Sequence, residues 1–361
     1  MNLRTPLYEQ HLAAGARMVD FAGWDMPLHY GSQLAEHRQV REHAGVFDVS
    51  HMGIIDITGA EALPFLRRVL SRDPVKLQAG GALYSALLNQ KGGVLDDVIV
   101  YRLQDRFRLI GNCATRAKDL AWLQQHAQDF AVTLQPREDL AILAVHGPAS
   151  LDAVCGLVDA DTAAALGALK YFQAFETGDF LYARTGYTGE LGLELLFPAE
   201  HAAALWNRLL AAGVKPIGLG ARDSLRLEAG MNLYGHDMTE DTSPLVANMG
   251  QVISWEPAER DFIGRAAAQR DRELQTRGEL PCLTGLVFEG RGVLREGQQL
   301  QTDAGPGLIT SGGFSPTLNH SIALARIPMA ATTCQVELRG TLQPVRIVTP
   351  PFVRHGKKVF E

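Results

Sequence analysis

The sequence of 361 residues has little of what marks several classes of protein. Its four cysteines are scattered and form no Cys-x-x-Cys pair, so we expect neither a zinc knuckle nor a disulfide framework. The formal net charge is -6 and the pI is near 6.0, which provides no basic surface for nucleic acid. No apolar run approaches the roughly 18 residues that a membrane-spanning helix needs. Neither Gly-x-Gly-x-x-Gly nor Gly-x-x-x-x-Gly-Lys-Ser/Thr occurs, which argues against a phosphate-binding loop.

What is present is the composition of an ordinary globular protein. Hydrophobic residues make up 46% and charged residues 20% of the chain, which is enough apolar material for extensive cores. At about 150 residues per domain, this length corresponds to two or three domains. The first residues have neither a signal-peptide core nor an Arg/Ser-rich transit pattern. We therefore expect a cytoplasmic protein with reduced thiols and with no nucleic-acid or membrane partner.

Two adjacent carboxylates interrupt an apolar run. Asp96 and Asp97 lie between the glycine pair at 92–93 and the run Val-Ile-Val-Tyr at 98–101, a pattern typical of a turn that leads into a buried strand. Because side chains alternate along a strand, the two carboxylates point to opposite faces and cannot share a proton. A buried charge is costly unless it is hydrogen-bonded, paired or presented to a cleft. For either aspartate, a structural role in the turn or in an arginine pair and a catalytic role both stay open.

Two glycine-rich turns each precede a charged residue. Residues 184–190, Arg-Thr-Gly-Tyr-Thr-Gly-Glu, predict a tight loop leading into a strand whose leucines occupy one face. Glu194 lies on the opposite face beside Gly192, where a ligand can approach closely; a solvated face is the alternative. Residues 218–230 predict a glycine turn into a helix. Arg222 places a positive charge near the start of that helix, where the helix dipole is also positive. Because this arrangement is unfavourable, we expect a nearby anion that compensates it.

The remaining patterns predict the organisation of the chain. A helix is expected to begin at Thr5-Pro6, and the aromatic-rich residues 20–30 are interpreted as a loop. Residues 50–137 alternate strand and helix patterns and predict a compact α+β unit. The charged residues 270–279 are the best candidate for a linker. Short strands separated by turn residues follow up to Phe352, which predicts a small all-β domain at the C-terminus.

Six motifs occur together and in a fixed order. They are Arg17-Met18-Val19-Asp20-Phe21-Ala22-Gly23-Trp24, Phe47-Asp48-Val49-Ser50-His51-Met52, Gly92-Gly93-x-x-Asp96-Asp97, Arg184-Thr185-Gly186-Tyr187-Thr188-Gly189-Glu190, Gly218-Leu219-Gly220-Ala221-Arg222-Asp223 with Arg226-Leu227-Glu228, and Thr310-Ser311-Gly312-x-Phe314-Ser315-Pro316-Thr317-Leu318. Each motif alone is weak, but six in order over essentially the whole chain are specific. With this set, the chain resembles the T protein of the glycine cleavage system, a family of tetrahydrofolate-dependent aminomethyltransferases.

The resemblance implies a mixed α+β fold. The family pattern is a three-domain ring, in which two α+β domains with antiparallel sheets are joined by a C-terminal all-β barrel-like domain, with folate in a central channel. The implied boundaries are 1–49 and 138–250 for a discontinuous first domain, 50–137 for the second, 251–278 for a connecting segment and 279–361 for the barrel.

The resemblance also implies the reaction and its residues. The methylene of the aminomethyl group on the dihydrolipoyl arm of H protein passes to tetrahydrofolate, giving 5,10-methylenetetrahydrofolate, ammonia and dihydrolipoyl H protein. Tetrahydrofolate is then the co-substrate, lipoylated H protein the partner, and no metal takes part. Carried over, Asp97 is the catalytic carboxylate and acts mainly electrostatically, while Glu194 and Arg222 bind the pterin. Other residues assigned to the folate cleft are Tyr187, Met52, Tyr84, Asn112 and Arg354.

Two relatives in the same superfamily are alternatives. One is a folate-dependent demethylation module of the sarcosine or dimethylglycine oxidising type, which usually follows a flavin domain. The other is a non-catalytic folate-binding protein linked to iron–sulfur cluster maintenance, whose Lys-Gly-Cys-Tyr-x-Gly-Gln-Glu motif is absent; Glu-Ala-Gly-Met-Asn-Leu-Tyr-Gly occupies 228–235 instead. The motifs favour the aminomethyltransferase. Departures from the family pattern at Met231, His236 and Gln251 do not touch the three main site residues.

Overall fold

A computed structural model describes residues 2–361. Its helices are α1 (Tyr8–Ala13), α2 (Gln33–Glu42), α3 (Ala62–Val69), α4 (Arg116–His126), α5 (Ser150–Cys155), α6 (Ala160–Ala168), α7 (Ala202–Ala211), α8 (Leu219–Glu228) and α9 (Arg265–Thr276). Helix α2 begins after Ser32, whose hydroxyl accepts a hydrogen bond from the backbone N–H of Ala35. This side-chain cap satisfies one of the amide groups that a helix start leaves unpaired.

The strands form four larger sheets and one short hairpin. In chain order they are β1 (Leu3–Arg4), β2 (Arg17–Phe21), β3 (Trp24–His29), β4 (Gly45–Asp48), β5 (Gly53–Thr58), β6 (Gly81–Leu88), β7 (Val94–Arg102), β8 (Phe107–Gly111), β9 (Thr133–Pro136), β10 (Leu140–His146), β11 (Ala174–Thr177), β12 (Phe180–Ala183), β13 (Gly192–Pro198), β14 (Lys215–Pro216), β15 (Pro281–Phe288), β16 (Gln299–Thr302), β17 (Gly305–Ser315), β18 (His320–Pro328), β19 (Cys334–Leu338), β20 (Thr341–Val348), β21 (Val353–Arg354) and β22 (Lys357–Lys358). Most pairs are antiparallel, while β1 with β3 and β14 with β4 are parallel. The hairpin is formed by β21 and β22.

The chain divides into two compact units. Unit 1 contains the residues up to Ala62 together with Leu77–Leu83 and Ile99–Leu225. Unit 2 contains Leu63–Lys76, Tyr84–Val98 and Arg226–Glu361. The division cuts strands β6 and β7, so each of these strands contributes residues to both units. The three-domain boundaries predicted from the sequence stay a prediction.

Unit 1 is built around a six-stranded sheet with the order β11-β12-β13-β10-β4-β14. Strand β10 lies inside this sheet and is buried on both faces. Ala141, Leu143 and Val145 belong to one hydrophobic cluster, which helices α5, α6 and α7 cover. Ile142 and Ala144 belong to a second cluster, to which α2 and α8 contribute. Because successive side chains point to opposite faces, a strand covered on both sides must be apolar throughout.

The carboxylate pair lies in a second sheet, with the order β6-β7-β8-β5-β9. Strand β7 contains both aspartates, as the apolar pattern predicts. Its second half pairs with β8 in antiparallel register, Ile99 opposite Ile110 and Arg102 opposite Phe107. Strands β7 and β8 are therefore the two strands of a hairpin.

Unit 2 contains a closed six-stranded barrel with the strand order β15-β18-β17-β16-β19-β20. Each strand contributes to one buried hydrophobic cluster: Leu286, Leu300, Ile309, Ala325, Val336 and Val345. Closure leaves no strand edge unpaired, which removes a site of aggregation. The all-β domain predicted at the C-terminus is confirmed as this barrel.

Buried polar residues attach the last turn of α8 to the barrel. Arg226 forms a buried ion pair with Asp237 at 3.0 Å and donates a hydrogen bond to Ser311 in β17 at 3.0 Å. Glu228 is fully buried and accepts a hydrogen bond from the Ser315 hydroxyl at 2.5 Å. Because a lone buried charge is costly, each of these charges requires its partners. Two of the six motifs therefore have a structural role, since they supply the partners for each other.

The interpretation of residues 20–30 as a loop is wrong. They include the last two residues of β2 and all of β3, and these strands pair as a hairpin with Phe21 opposite Trp24. The two turn residues between them, Ala22 and Gly23, have φ of 51° and 83°. A two-residue hairpin of this type requires positive φ at both positions. The alanine in the first position hides this turn from a sequence pattern that expects asparagine or glycine.

The first helix also begins later than predicted. The Thr5 hydroxyl donates a hydrogen bond to the buried carboxylate of Asp48 at 2.6 Å and accepts the backbone N–H of Leu7 at 3.3 Å. These contacts lie in the turn before the helix, which starts at Tyr8. Gly15 follows α1 with φ of 76°.

The turn that leads into β7 is held tightly against a loop of the same unit. The side-chain amide of Asn89 donates to the backbone carbonyl of Glu240 at 2.8 Å. The backbone N–H of Val94 donates to the carbonyl of Thr242 at 3.0 Å. A Cβ atom on Gly93 would lie 1.6 Å from the Glu240 carbonyl oxygen. Only glycine therefore fits at this position, because any side chain would push the strand away from the loop.

We expect Gly93→Ala to lower the free energy of unfolding by about 1–3 kcal/mol, the usual cost of forced overpacking. Urea denaturation measures this change. Gly167→Ala is the matched control, because no atom lies within 4 Å of a Cβ at this helical position. Alanine there should raise the stability by about 0.5–1 kcal/mol, since glycine weakens a helix. Equal midpoints for Gly93→Ala and the wild type would contradict the argument.

Candidate active site

Asp97 lies beside a tyrosine hydroxyl. Tyr84 on β6 donates a hydrogen bond from its hydroxyl to Asp97 Oδ2 at 2.9 Å. Both side chains are half-buried, whereas the neighbouring Asp96 is fully buried. This difference follows from the alternation of side chains along β7 and confirms that the two carboxylates point apart. Of the pair, Asp97 is the one with access to a reactant.

Glu194 is oriented by two hydroxyl groups. It lies on β13 opposite Ala144 of β10, on the face covered by the second hydrophobic cluster of unit 1. The Thr185 hydroxyl donates a short hydrogen bond to Glu194 Oε2, and the Tyr101 hydroxyl donates to the same oxygen at 3.5 Å. Burial and the nearby carboxylate raise the pKa of Tyr101 well above its usual value, so the phenol stays protonated. Both donors use Oε2, which leaves Oε1 for a ligand.

Two aromatic rings lie close to the Arg222 guanidinium. Its Cζ atom lies 4.8 Å from the centre of the Tyr187 ring and 6.0 Å from the centre of the Phe47 ring. Both distances are within the range of cation–π attraction, about 6 Å. The aromatic faces compensate part of the cost of removing the guanidinium from water. They supply no hydrogen-bond acceptor in the plane of that group.

The electrostatic surroundings of Arg222 are those of a site that receives an anionic or polar ligand. Burial lowers the pKa of Arg222, while the carboxylate of Glu194 raises it in part. The Nη1 atom is buried and has no hydrogen-bond partner within residues 2–361. A buried donor left unpaired costs about 1–3 kcal/mol, so such a group points to an acceptor supplied by a ligand. The charge of Glu194 therefore acts on Arg222, while the buried Nη1 has no acceptor within residues 2–361.

The sequence interpretation missed a histidine next to this arginine. His146 ends strand β10 and is fully buried. Its Nδ1 atom forms a hydrogen bond of 2.9 Å with the Thr188 hydroxyl. Burial, with the nearby charge of Arg222, lowers the pKa of His146 to about 3, so the ring is neutral. The available signal was a histidine at the end of an otherwise apolar strand, which sequence patterns alone cannot separate from an ordinary core residue.

The other predicted residues have different surroundings. Met52 packs against the same hydrophobic cluster as Tyr101, and Asn112 is half-buried at the end of β8, where its carbonyl accepts a hydrogen bond from Thr115 at 3.0 Å. Arg354 is exposed on the short strand β21 of unit 2. Among the predicted residues, therefore, unit 1 holds Glu194, Arg222, Tyr187, Met52 and Asn112, while unit 2 holds Asp97, Tyr84 and Arg354.

Two further observations bear on the kind of site. In the part of the chain that the structure describes, no three His, Cys, Asp or Glu side chains come together in a way that could hold a metal ion. No helix between residues 2 and 361 has the length and apolar character needed to cross a membrane. The main candidate residues, Asp97, Glu194 and Arg222, offer two carboxylates and a guanidinium, groups that can hydrogen-bond an organic ligand.

Removal of the Tyr101 hydroxyl tests whether the hydroxyl groups around Glu194 stabilise the fold. This hydroxyl also contacts Thr185 Oγ1 at 3.0 Å, so Tyr101→Phe removes one member of a buried hydrogen-bonded group. We expect a loss of about 1 kcal/mol in the free energy of unfolding, measured with urea. Thr185→Val should cost more, since Thr185 makes the shorter of the two hydrogen bonds to the Glu194 carboxylate. A Tyr101→Phe variant as stable as the wild type would show that this group does not contribute.

Comparison with known proteins identifies the family. A family model described as the GCVT N-terminal domain matches residues 7–257, and one described as the glycine cleavage T-protein C-terminal barrel domain matches residues 282–354. The chain is 56% identical over 361 residues to an aminomethyltransferase of Chromobacterium violaceum, and 56% identical over 360 residues to one of Pseudomonas syringae pv. tomato. In both comparisons 99% of each chain is covered.

The fold gives the same result. The crystal structure of the glycine cleavage system aminomethyltransferase T from Bartonella henselae has a TM-score of 0.91 to this chain, at 37% sequence identity and with 100% of both chains covered. The resemblance inferred from the six motifs is thus confirmed. The chain is an aminomethyltransferase of the glycine cleavage system and belongs to the glycine cleavage T-protein family.

Proposed function

We propose that the chain transfers a methylene group from the aminomethylated dihydrolipoyl arm of H protein to tetrahydrofolate. The carbon–sulfur and carbon–nitrogen bonds of the aminomethyl thioether break, and two bonds form from the same carbon to N5 and N10 of the folate. The hydrogens displaced from N5 and N10 end on the thiol and on ammonia. The products are 5,10-methylenetetrahydrofolate, ammonia and dihydrolipoyl H protein, with no net oxidation and no metal.

The observation that carries the proposal is the presence of the Glu194 carboxylate near a buried arginine that has an unpaired donor. A pterin edge offers N–H donors, and a carboxylate oxygen accepts such a donor in a charge-assisted hydrogen bond. Glu194 has Oε1 available, while the Thr185 and Tyr101 hydroxyls fix its orientation through Oε2. The buried Nη1 of Arg222 can donate to an acceptor of the same heterocycle. The residues present therefore fit the group that the family uses.

Asp97 is proposed as the carboxylate that acts at the reacting carbon. As the methylene leaves sulfur, positive charge develops on the carbon–nitrogen unit, and a fixed carboxylate stabilises that charge without needing to reorganise. A proton transfer to Asp97 is a lesser requirement, because an aniline-like N10 is already unprotonated at neutral pH. The Tyr84 hydroxyl, which donates to Oδ2 at 2.9 Å, keeps the carboxylate in one orientation.

The remaining expectations belong to the same proposal. We propose the three-domain ring of the family with folate in a central channel, and lipoylated H protein as the partner that delivers the aminomethyl group. Glu194, Arg222 and Asp97 have the main roles. The other residues proposed to contact folate are Tyr187, Met52, Tyr84, Asn112 and Arg354.

Replacement of Asp97 separates chemistry from binding. We expect Asp97→Asn to lower kcat by about 10²–10³, a usual cost of removing one electrostatic stabiliser, while tetrahydrofolate still binds. The assay measures methylenetetrahydrofolate and ammonia from aminomethylated H protein, with and without tetrahydrofolate. Tyr84→Phe is the matched control, because it keeps the carboxylate and removes only its hydrogen-bond donor. It should lower kcat by about tenfold or less.

Two results would contradict this assignment of roles. If Asp97→Asn turned over at the wild-type rate, the carboxylate would have no part in the chemistry. If the wild type bound tetrahydrofolate but transferred nothing, the proposed reaction itself would be wrong. A rate that did not depend on tetrahydrofolate would exclude folate as the acceptor.

Replacement of Glu194 tests the pterin contact. Glu194→Gln keeps the shape of the side chain but replaces one acceptor oxygen by a donor. Loss of a charge-assisted hydrogen bond costs about 1.5–3 kcal/mol, which corresponds to a Kd for tetrahydrofolate about ten- to a hundredfold higher. Fluorescence or calorimetric titration with tetrahydrofolate measures this change. Unchanged affinity in a variant that unfolds at the wild-type urea concentration would remove Glu194 from the binding site.

A further inference from the structure

The loop that carries Tyr187 closes on the ring of His146. A Cβ atom on Gly186 would lie 2.4 Å from His146 Cε1, and one on Gly192 would lie 2.4 Å from His146 Cδ2. The imidazole is therefore enclosed between the two ends of the loop, and only glycine at both ends permits this approach. Gly192 is also directly opposite His146 in the register of β13 and β10. The ring thus sets the distance between the two ends of the loop.

Thr188, in the middle of this loop, is the point of attachment. Its hydroxyl forms the 2.9 Å hydrogen bond with His146 Nδ1 and accepts the backbone N–H of Glu190 at 3.3 Å. Its carbonyl accepts a hydrogen bond from Arg41 at 2.7 Å, and Arg41 also pairs with the Glu190 carboxylate at 2.8 Å. The side chains of Arg41 and Glu190 are only 5% and 4% exposed. The loop is therefore held by buried polar contacts on both sides of Thr188.

The contacts of His146 and Thr188 are part of a closed circuit of neighbouring residues that includes Arg222. His146 packs edge-on against Phe47, with ring centres 5.7 Å apart. The rings of Phe47 and Tyr187 both lie near the Arg222 guanidinium, and Tyr187 is bonded through the chain to Thr188. The hydrogen bond between Thr188 and His146 completes this circuit of contacts. A shift of the loop would therefore move one of the two aromatic groups that hold the arginine.

We propose that His146, acting through Thr188, is a positioning residue that holds Tyr187 and Arg222 in the geometry required for tetrahydrofolate. The proposal rests on the function proposed above, because it assigns a support to the pterin-binding arginine. His146 itself does not touch the substrate in this role. Its neutral ring suits the position, since a second positive charge beside Arg222 would repel the guanidinium.

Thr188→Val is the first test, because valine keeps the shape of threonine and removes only the hydroxyl. A lost hydrogen bond of about 1 kcal/mol corresponds to a Kd for tetrahydrofolate about fivefold higher. We expect a rise of about five- to tenfold in Kd and KM, with kcat at saturation changed by less than twofold. Thr188→Ser is the matched control, because it retains the hydroxyl and should bind tetrahydrofolate nearly as the wild type does.

A double-variant cycle asks whether His146 and Thr188 act through one bond. His146→Leu replaces the imidazole by an apolar group of similar volume and should raise the Kd for tetrahydrofolate by a similar factor. If the bond is the common cause, the double variant His146→Leu/Thr188→Val should bind no more weakly than the weaker single variant. Fully multiplicative effects would show that the two residues act independently and would overturn the proposal.

Hydrogen exchange in the ligand-free protein provides the second readout. We expect amides of the peptide 184–192 to exchange faster in Thr188→Val and not in Thr188→Ser, with other peptides unchanged. Slow exchange in all variants, or a loss of thermal stability with unchanged KM and Kd, would overturn the positioning role. If the wild type failed to bind tetrahydrofolate while the peptide still loosened in Thr188→Val, the failure would lie in the proposed function and not in this contact.

Discussion

The burial of the Arg222 guanidinium is the constraint on which the candidate site depends. A buried cation is costly unless its surroundings compensate, and here they do so without using all of its donors. Two aromatic faces attract the charge, and Glu194 provides a carboxylate whose electrostatic effect reaches it. The Nη1 atom is left buried and unpaired within residues 2–361. The fold therefore bears a local cost that a bound heterocycle can remove.

The two aspartates of β7 have different surroundings. Asp96 is fully buried and belongs to the interior of its unit, whereas Asp97 is half-buried and accepts the Tyr84 hydroxyl. The strand can present one carboxylate in this way only if its register is fixed, because a shift of one residue would exchange the two faces. The close approach of Gly93 to the Glu240 carbonyl holds that register at the start of the strand.

Much of this could be predicted from the sequence, and the exceptions have a common cause. Strand β7 and the C-terminal barrel follow from local periodicity and turn residues. The hairpin at Ala22-Gly23 and the later start of α1 do not, because alanine is unusual in this turn and Thr5 makes its contacts in the turn before the helix. The position of Arg222 in its helix indicates a role in a site, but no role for His146 or Arg41 can be predicted from the sequence. Their partners lie about 40 to 150 positions away along the chain.

The neutrality of His146 explains why this residue type can occupy its position. An aspartate or glutamate there would pair with Arg222 and occupy the donors that a ligand needs. A lysine or a charged histidine would repel the guanidinium in a region with little water. Burial keeps the imidazole uncharged, with a pKa of about 3, while its Nδ1 still holds Thr188. Burial thus leaves Arg222 with an unpaired donor and also keeps His146 neutral, so that in the proposed role His146 supports the loop without competing for the ligand.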